Sequence, residues 1–412
     1  MRILYVSSYY KPAYIYGGTV SCVSQLCESM VKLDAQVTVL TTNVNGEDLL
    51  NVSLGQSENV DGVEVFYYPI VRIPPRSFYY APALAKACRN KVPDFDIVVL
   101  QSLFSYGTGA ATKACKQAGI PYIIQPHGQL LPWSLRQKWL KKQIFLTFMG
   151  RTYLNEAAAL HCTVPSEAEA LNQLGIRAPK LVIPNGTEFD HFANLLVRGM
   201  IRQRFQIPDD ARLLLFLGRL HPKKRPDLAV EALTAAQSLP GETHLLLAGP
   251  DKMQLIPKLQ AQAQHFGCAN RLHVTGLLQG DEILSVLADA DLFLMPSEPE
   301  SENFGMSAVE AMAAGLPILV SEGVPIGHWA ELAGAGRMIP CTADSFRRAT
   351  CELLALPNQL KEMGKRGQEL AHQRFEISSV ARQMLAQYKS IIETGRPLPV
   401  QSLEDSLENP DF

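Results

Sequence analysis

The sequence alternates between short apolar segments of strand length and longer segments of helical pattern, and this alternation runs through the chain twice. Strands separated by helices join a parallel sheet, because a parallel connection needs a crossover of about a dozen residues or more. The Ile-Val-Val-Leu run at 97–100 is apolar on both faces, which indicates a central strand covered by helices on both sides. The chain is therefore predicted to fold as two doubly wound α/β domains that face each other.

The predicted elements fall into two runs with a boundary near Pro184-Asn185-Gly186. The first run has strands at 2–7, 36–42, 63–68, 96–101, 122–125, 160–164 and 180–183, and helices at 19–32, 107–118 and 135–159. The second run has strands at 213–217, 244–248, 272–275, 291–295 and 318–320, and helices at 226–237, 281–288 and 344–387. Residues 396–412 combine three prolines and four acids with few apolar side chains, which predicts a flexible tail.

Length and composition limit the classes of protein that this chain can form. Its 412 residues exceed one ordinary hydrophobic core, and 47% hydrophobic with 19% charged residues suits a soluble globular enzyme. A net charge of −2 gives no basis for binding nucleic acid. The eight cysteines form no C-x-x-C pair, and neither a signal peptide nor an apolar stretch of membrane-spanning length is evident. We therefore expect a cytoplasmic protein with buried thiols.

The stretch at 296–321 places carboxylates around a predicted helix that leads into a buried strand. Ser301 or Asn303 is predicted to cap this helix, and Gly315 ends it. A helix N-terminus offers amides and a partial positive charge to a phosphate, whereas carboxylates accept hydrogen bonds from hydroxyl groups. Such a combination suits a sugar nucleotide. The acids are Glu298, Glu300, Glu302 and Glu310.

Two other interpretations of these acids stay open at this point. The acids could simply complement the helix dipole, or Glu302 and Glu310 could form the acid pair of a glycosidase. Eight residues of helix rise roughly 12 Å, whereas the two carboxyl groups of glycosidases lie about 5–9.5 Å apart. The spacing favours two separate hydroxyl-binding roles, and a glycosidase pair would need a bend in the loop.

Three further loops follow predicted strands, and the ligands of open parallel sheets bind beyond the carboxyl ends of strands. Gly17-Gly18 can bring amides to a phosphate, although a glycine pair in a loop is more often only a turn. His127, which follows the strand at 122–125, can donate to a hydroxyl or carry a proton, although most single histidines are structural. A run of cations follows the strand at 213–217; such runs are usually solvated, but this one could hold a diphosphate. The cations are Arg219, Lys223, Lys224 and Arg225.

Taken in order, these motifs resemble those of family 4 glycosyltransferases of the GT-B fold. The resemblance implies retaining transfer from a nucleotide-diphosphate sugar, with no metal and no other cofactor. The motifs are the Gly17-Gly18 loop, P-H-G at 126–128, P-N-G at 184–186, G-R-x-x-P-x-K at 218–224 and E-x7-E from Glu302 to Glu310.

The resemblance also implies a role for each site residue. Arg219 and Lys224 would hold the diphosphate, Glu310 the ribose, and Gly17 with Gly18 the phosphates. Glu302 would contact the donor sugar, and His127 the side of the sugar that carries its 6-hydroxyl. The implied catalytic set is His127, Arg219, Lys224 and Glu302, and the implied donor-binding set adds Asn303, Phe304 and Gly305.

A domain organisation follows from the same resemblance. Two Rossmann-like domains would enclose a cleft, with the acceptor on residues 1–187 and the nucleotide sugar on 188–375, and a helix at 376–395 would cross back to the first domain. The expected acceptor is a glycan or a lipid-linked saccharide in surface or extracellular polysaccharide synthesis. The alternatives are a GT-B synthase of a soluble glycoside and a non-catalytic module that binds sugar nucleotides or glycans.

Three departures from the family pattern leave the transferred sugar open. Arg225 stands where a glycine is usual, and Thr187-Glu188 replaces the common Val-Asp. The loop that carries Glu298 and Glu300 is two residues longer than usual.

The segment 133–151 interleaves aromatic and basic residues without an acid. Such a composition suits an anionic bilayer surface or a lipid-linked acceptor, which would bring the protein to the inner face of the membrane. The alternative is that its apolar residues, which form no clean helical stripe in the sequence, belong partly to the core. The residues in question are Trp133, Arg136, Lys138, Trp139, Lys141, Lys142, Phe145, Phe148 and Arg151.

Overall fold

The computed structural model describes residues 1–73, 78–193 and 198–399, and the chain divides into two compact units. The first unit comprises Met1–Gly186 and Ile377–Phe412, and the second comprises Thr187–Glu376. Most of the predicted tail at 396–412 lies outside the described residues, since the description ends at 399.

The first unit is built on an eight-stranded sheet in which every neighbouring pair is parallel except the antiparallel pair β5–β6. The strand order is β10-β9-β8-β7-β1-β2-β6-β5, and β3–β4 is a separate antiparallel hairpin. In chain order the strands are β1 (Arg2–Val6), β2 (Gln36–Thr42), β3 (Val44–Asn45), β4 (Asp48–Leu49), β5 (Ser57–Val60), β6 (Val63–Tyr68), β7 (Ile97–Gln101), β8 (Tyr122–Gln125), β9 (Ala159–Cys162) and β10 (Lys180–Val182).

Helices cover both faces of this sheet because alternate side chains of each central strand point to opposite faces. On β1, Ile3 and Tyr5 pack in one buried cluster, whereas Leu4 and Val6 pack in the other. Along the chain up to Gly186 the helices are α1 (Gly18–Lys32), α2 (Pro82–Lys91), α3 (Tyr106–Ala118), α4 (Pro132–Arg136), α5 (Trp139–Phe145), α6 (Arg151–Asn155) and α7 (Pro165–Gln173).

The second unit has a six-stranded, entirely parallel sheet with the order β13-β12-β11-β14-β15-β16. Its strands are β11 (Arg212–Leu217), β12 (Thr243–Ala248), β13 (Leu272–Gly276), β14 (Leu292–Met295), β15 (Ile318–Ser321) and β16 (Gly336–Ile339). Its helices are α8 (Asp190–Ala193), α9 (Met200–Phe205), α10 (Pro226–Ala236), α11 (Ile256–His265), α12 (Asp281–Asp289), α13 (Met306–Ala313), α14 (Ile326–Leu332), α15 (Ala343–Leu354) and α16 (Pro357–Phe375).

The last helix, α17 (Ile377–Thr394), belongs to the first unit. Its apolar face joins the buried cluster that contains β1 and α1, and the hydroxyls of Tyr388 and Tyr5 lie 3.0 Å apart. In the second unit the first and last residues, Thr187 and Glu376, form an isolated β-bridge. The two ends of the second unit are therefore paired with each other where the chain enters and leaves it.

The predicted fold class, two doubly wound α/β domains with parallel sheets, is confirmed. The strands at 36–42, 63–68 and 122–125 have the predicted bounds. The single helix predicted at 135–159 is wrong: extended Gln137 and left-handed Lys138 separate α4 from α5, a π-helical turn spans Leu146–Gly150, and β9 has begun by Ala159. Neither a glycine nor a proline marks the break at Gln137 and Lys138, so the sequence gives no sign of it.

Gly249 fixes how the ends of β11 and β12 meet. Its backbone has φ +144, and an added Cβ would lie 2.0 Å from the carbonyl oxygen of Gly218. The amide of Gly218 donates to the carbonyl of Ala248 at 2.8 Å, so neither chain can retreat without losing this bond. Only glycine allows this close approach.

We expect Gly249→Ala to lower the free energy of unfolding by about 2–5 kcal/mol, the sum of a steric clash and a positive φ. Gly276→Ala is the matched control, because Gly276 also has a positive φ (+77) but open space around its Cβ position. The free energy of unfolding of the control should fall by only about 1–2 kcal/mol. Urea denaturation measures both variants, and equal losses would show that the close approach is not what constrains Gly249.

Candidate functional site

The cationic loop follows β11, where the strand order of the second sheet reverses between β12 and β14. Ligands of open parallel sheets bind at such points. Arg219 is exposed, and Leu220 anchors the loop in the core. The next residues, Pro222–Lys224, form one 3-10 turn, capped by His221 Nδ1, which accepts from the Lys223 amide at 3.2 Å.

The acidic loop follows β14, the strand beside β11, and is hydrogen-bonded to the cationic loop. The amide of Glu298 donates to the carbonyl of Lys223 at 2.8 Å, and Lys223 Nζ donates to the carbonyl of Ser301 at 2.9 Å. The Ser301 hydroxyl donates to the Glu298 carbonyl at 2.6 Å. The first two bonds join the loops, and the third stabilises the acidic loop itself.

Lys224 and Glu302 form an ion pair between the loops, and each side chain is only 14% exposed. The Ser297 hydroxyl donates to the same carboxylate at 3.3 Å. Burial would raise the pKa of Glu302, but the cations of Lys224 and Lys223 outweigh burial and hold it below its usual value. Glu302 is therefore ionised at neutral pH.

Lys223 lies largely out of contact with solvent, which disfavours its charged form. Burial is the main cause that lowers the pKa of Lys223 to about 8; Glu302 opposes it, and the neighbouring cations Lys224 and Arg219 act in the same direction as burial. A cluster of three cations therefore faces one paired carboxylate. An anion placed here would gain from the excess positive charge.

The helix that follows the acidic loop, α13, begins at Met306 rather than beside the predicted caps Ser301 and Asn303. Its N-cap is Gly305, with φ +106, and among the described residues no side chain caps it. Phe304 is buried against Trp329 and Phe375, with ring centroids 6.0 and 5.5 Å apart, so only its backbone can meet a ligand. The amides at the start of α13 can bind a phosphate, as amides at helix N-termini do.

Glu310 lies in the second turn of α13 and is half-buried. Within the described ranges, no hydrogen-bond donor reaches its carboxylate, and burial raises the pKa of Glu310 to about 7. Because α13 starts at Met306, Glu302 stands outside the helix. The two carboxylates are therefore not separated by eight residues of helix, and the rise of roughly 12 Å predicted between them does not apply.

Two departures from the family pattern have a structural explanation. Arg225 has φ +48, in the left-handed region that favours glycine, and its side chain bonds Asp227 through Nε and a terminal nitrogen. The longer acidic loop packs on Gly323, where an added Cβ would lie 2.8 Å from the Cα of Pro299. Thr187 and Glu188 lie at the start of the second unit, and the Thr187 amide donates to the Phe375 carbonyl.

The first unit carries the remaining predicted site residues. Gly17 (φ +71) precedes α1, and Gly18 is the first residue of that helix; no described side chain caps it. His127, with φ +53, follows β8, and its Nε2 lies 2.5 Å from Gln101 Oε1 at the end of β7. Gln101 was not predicted, although its position at a strand end was a usable signal.

His127 is neutral in this setting. Burial, with a smaller contribution from His161, lowers the pKa of His127 to about 3. Since Gln101 presents its carbonyl oxygen, Nε2 carries the proton and Nδ1 is an acceptor. Of the two predicted roles of His127, hydrogen bonding to a hydroxyl and carrying a proton, the lowered pKa favours hydrogen bonding by the neutral ring.

The chain can now be placed among known proteins. Two units with parallel sheets, each with polar or charged residues in the loops after its strands, are typical of the GT-B class. The solved structure of Anabaena HepE in complex with UDP and glucose shares this fold. That structure aligns with a TM-score of 0.73 and 20% identity, covering 95% of this chain and 100% of the other. The family models for glycosyl transferases group 1 and for the glycosyl transferase 4-like domain match residues 197–370 and 17–186. The chain belongs to this glycosyltransferase family, and the predicted resemblance is confirmed.

Curated relatives align over part of the chain. A D-inositol 3-phosphate glycosyltransferase of Segniliparus rotundus is 26% identical over 54% of this chain and 49% of its own length. A GDP-mannose:cellobiosyl-diphosphopolyprenol alpha-mannosyltransferase of Komagataeibacter xylinus is 28% identical over 46% of this chain and 47% of its own. The matches thus span about half the length of these relatives.

We expect His127 to stay neutral down to about pH 5, since its pKa lies near 3. Nitrogen-15 NMR should show the proton on Nε2, with the exposed His191 as a reference signal. Gln101→Glu should raise the pKa of His127, because a carboxylate favours the protonated ring. Protonation of wild-type His127 between pH 6 and 7 would contradict this assignment.

Glu310 should make stability depend on pH. Its folded pKa, about 7, is above that of the unfolded chain, so the folded state binds more protons and stability falls as pH rises from about 4.5 to 7. Glu310→Gln should remove this loss of stability. At pH 8 its free energy of unfolding should exceed that of the wild type by about 1–3 kcal/mol, a range that allows for the partial exposure of the side chain.

The matched control is Glu369→Gln on α16, where the side chain is exposed. Urea denaturation at pH 5 and pH 8 gives the comparison. If Glu310→Gln and Glu369→Gln have the same pH dependence as the wild type, Glu310 does not titrate abnormally.

Proposed function

We propose that this protein is a retaining glycosyltransferase that moves a hexosyl group from a nucleotide-diphosphate sugar to a glycan or lipid-linked saccharide. One observation carries the proposal: the cation cluster of Arg219, Lys223 and Lys224 faces the loop that leads into the uncapped N-terminus of α13, which also bears Glu310. Cations and amides suit a diphosphate, and carboxylates suit hydroxyls. The family membership and the UDP-bound relative support the same donor class.

The second unit would bind the donor. Arg219 and Lys224 would hold the diphosphate beside the amides of Asn303, Phe304, Gly305 and Met306, and Glu310 would accept from the ribose hydroxyls. Glu302 would contact the sugar. Charge develops on the diphosphate as the sugar–phosphate bond breaks, and cations already in place stabilise it, so we propose that turnover needs neither metal nor other cofactor.

The first unit would bind the acceptor. Gly17 and Gly18, at the start of α1, would bring amides to the donor phosphates, and neutral His127 would hydrogen-bond the side of the sugar that carries the 6-hydroxyl. The mannosyltransferase relative, whose name gives a diphosphopolyprenol acceptor, supports a lipid-linked saccharide here. We propose a role in surface or extracellular polysaccharide synthesis at the inner face of the membrane.

Calorimetric binding of nucleoside diphosphates in the presence of a chelator tests the donor site. We expect UDP or another nucleoside diphosphate to bind and, at a hundredfold excess over Kd, to stabilise the protein by about 2.7 kcal/mol. Arg219→Gln should weaken binding without unfolding, since Arg219 is exposed. Absence of binding would overturn the proposal, and binding or turnover that requires added magnesium or manganese would overturn its metal independence. Binding without any sugar transfer would identify a non-catalytic module.

Kinetics should separate the roles of the site residues. Arg219→Ala should lower kcat by roughly 10²–10³, the loss seen for one donor to a developing oxyanion. Glu310→Gln should chiefly raise KM for the donor, because a ribose hydroxyl gains no charge during the reaction. Lys224→Ala should lower kcat too, but it also leaves Glu302 buried and unpaired, so Arg219 is the cleaner test.

Two further variants complete this kinetic comparison. Glu302→Gln should change both kcat and KM, and His127→Ala should lower kcat with nucleotide affinity kept. Steady-state rates and calorimetric nucleotide binding are measured on each variant. A Glu310→Gln variant that loses kcat but binds the nucleotide normally would make Glu310 a participant in the chemistry.

A further inference from the structure

The segment from α5 through α6 presents large apolar side chains to solvent. Leu140, Ile144 and Phe148 recur every four residues and are 63%, 52% and 77% exposed, and the adjacent Trp139 is 57% exposed. We call these four residues the docking face. Side chains at this spacing lie on one side of a helix, so the structure reveals an outward apolar stripe that the sequence did not separate from the core.

The same helical segment packs its other side on the first sheet. Leu146 and Leu154 are buried in the main cluster on that side, and Phe145 packs against it. Gly150 lies against Leu146, whose Cδ2 would be 3.0 Å from an added Cβ. Since the inner side already supplies the packing, the docking face is not needed to hold the segment in the fold.

The chain segment that carries the docking face has only basic residues among its charged side chains. Residues 133–151 contain five lysines and arginines and no aspartate or glutamate, although the whole chain has a net charge of −2. Lys138 and Lys141 are exposed next to the docking face, and Lys142 bonds the carbonyl of Ser134 at 2.6 Å. Aromatic and aliphatic side chains within a basic surround suit the interface of an anionic bilayer.

We propose that the docking face binds the surface of an anionic phospholipid bilayer, with Trp139, Leu140, Ile144 and Phe148 inserted between headgroups and the lysines beside them on the phosphates. In the described part of the chain, no helix has the length and hydrophobicity to cross a membrane. The proposed contact does not depend on sugar transfer, so vesicle binding and turnover can fail separately.

A second copy of the chain is the other candidate occupant, and charge disfavours it. A twofold contact places the same patch on both subunits, so Lys138 and Lys141 would face their own copies. Like charges in such a contact repel, whereas a surface of anionic headgroups attracts them.

Co-sedimentation of the full chain with vesicles tests the proposal, comparing phosphatidylcholine alone with a 3:1 mixture of phosphatidylcholine and phosphatidylglycerol. We expect binding only to the anionic vesicles, and loss of most binding in 1 M salt, where the screening length falls to about 3 Å. Lys138→Asn with Lys141→Gln should weaken partitioning about 25-fold, at roughly fivefold for each cation. Asparagine is chosen because Lys138 has φ +55.

Trp139→Ser with Phe148→Ser should weaken partitioning roughly tenfold or more, since two apolar side chains then stay out of the bilayer. Trp139→Phe should keep binding but lose the quenching of tryptophan fluorescence by brominated lipid. The charge control is Lys86→Gln with Arg89→Gln on α2, and the apolar control is Leu332→Ser on α14; all three are exposed. Both controls should bind like the wild type.

Circular dichroism verifies that each variant is folded. The proposal is overturned if the wild type does not bind anionic vesicles, if the controls lose as much binding as the docking-face variants, or if binding is equal on both vesicle types. A change from dimer to monomer in Trp139→Ser with Phe148→Ser, seen by analytical ultracentrifugation without lipid, would instead assign the face to a second copy.

Discussion

The buried ion pair between Lys224 and Glu302 determines the arrangement of the candidate site in the second unit. It joins loops that follow the adjacent strands β11 and β14, which meet only because the chain reverses its strand order there. A buried pair contributes little net stability, but breaking it leaves an uncompensated charge, so the pair fixes geometry more than it strengthens the fold. Because Glu302 already bonds Lys224, the exposed Arg219 beside it can attract an anion.

Strand ends were the predictable part of the site, and side-chain partners were not. Apolar runs and helix alternation located β8 and β11, and therefore the loops of His127 and Arg219. The bond from His127 to Gln101 depends on β7 lying beside β8 with Gln101 opposite Gln125. Strand order is a property of the whole sheet, which local pattern does not encode. The protonation state of His127, which follows from that partner and from burial, was hidden for the same reason.

Local propensity failed where packing overrides it. Ser301 and Asn303 are good caps, yet α13 starts after Gly305 because Phe304 is buried with Trp329 and Phe375. An added Cβ at Gly305 would lie 2.9 Å from Ile326, so the chain must turn there with a glycine. The aromatic anchor moves the helix start away from the side chains that would have capped it, and the amides are left for a ligand.

Glu302 and Glu310 show why motif spacing predicts position but not chemical state. Cations surround Glu302 and keep it ionised, whereas burial without a donor raises the pKa of Glu310 to about 7. A diphosphate bound at the cluster would compete with Glu302 for Lys224, because both anions need the same ammonium group. Glu302 would then have additional acceptor capacity for a sugar hydroxyl when the phosphates are present. Hydroxyls that donate to Glu310 would favour its ionised form and lower its pKa in turn. If the donor binds as proposed, its phosphates would weaken the ion pair that keeps Glu302 ionised. Its hydroxyls would meanwhile favour the ionised form of Glu310.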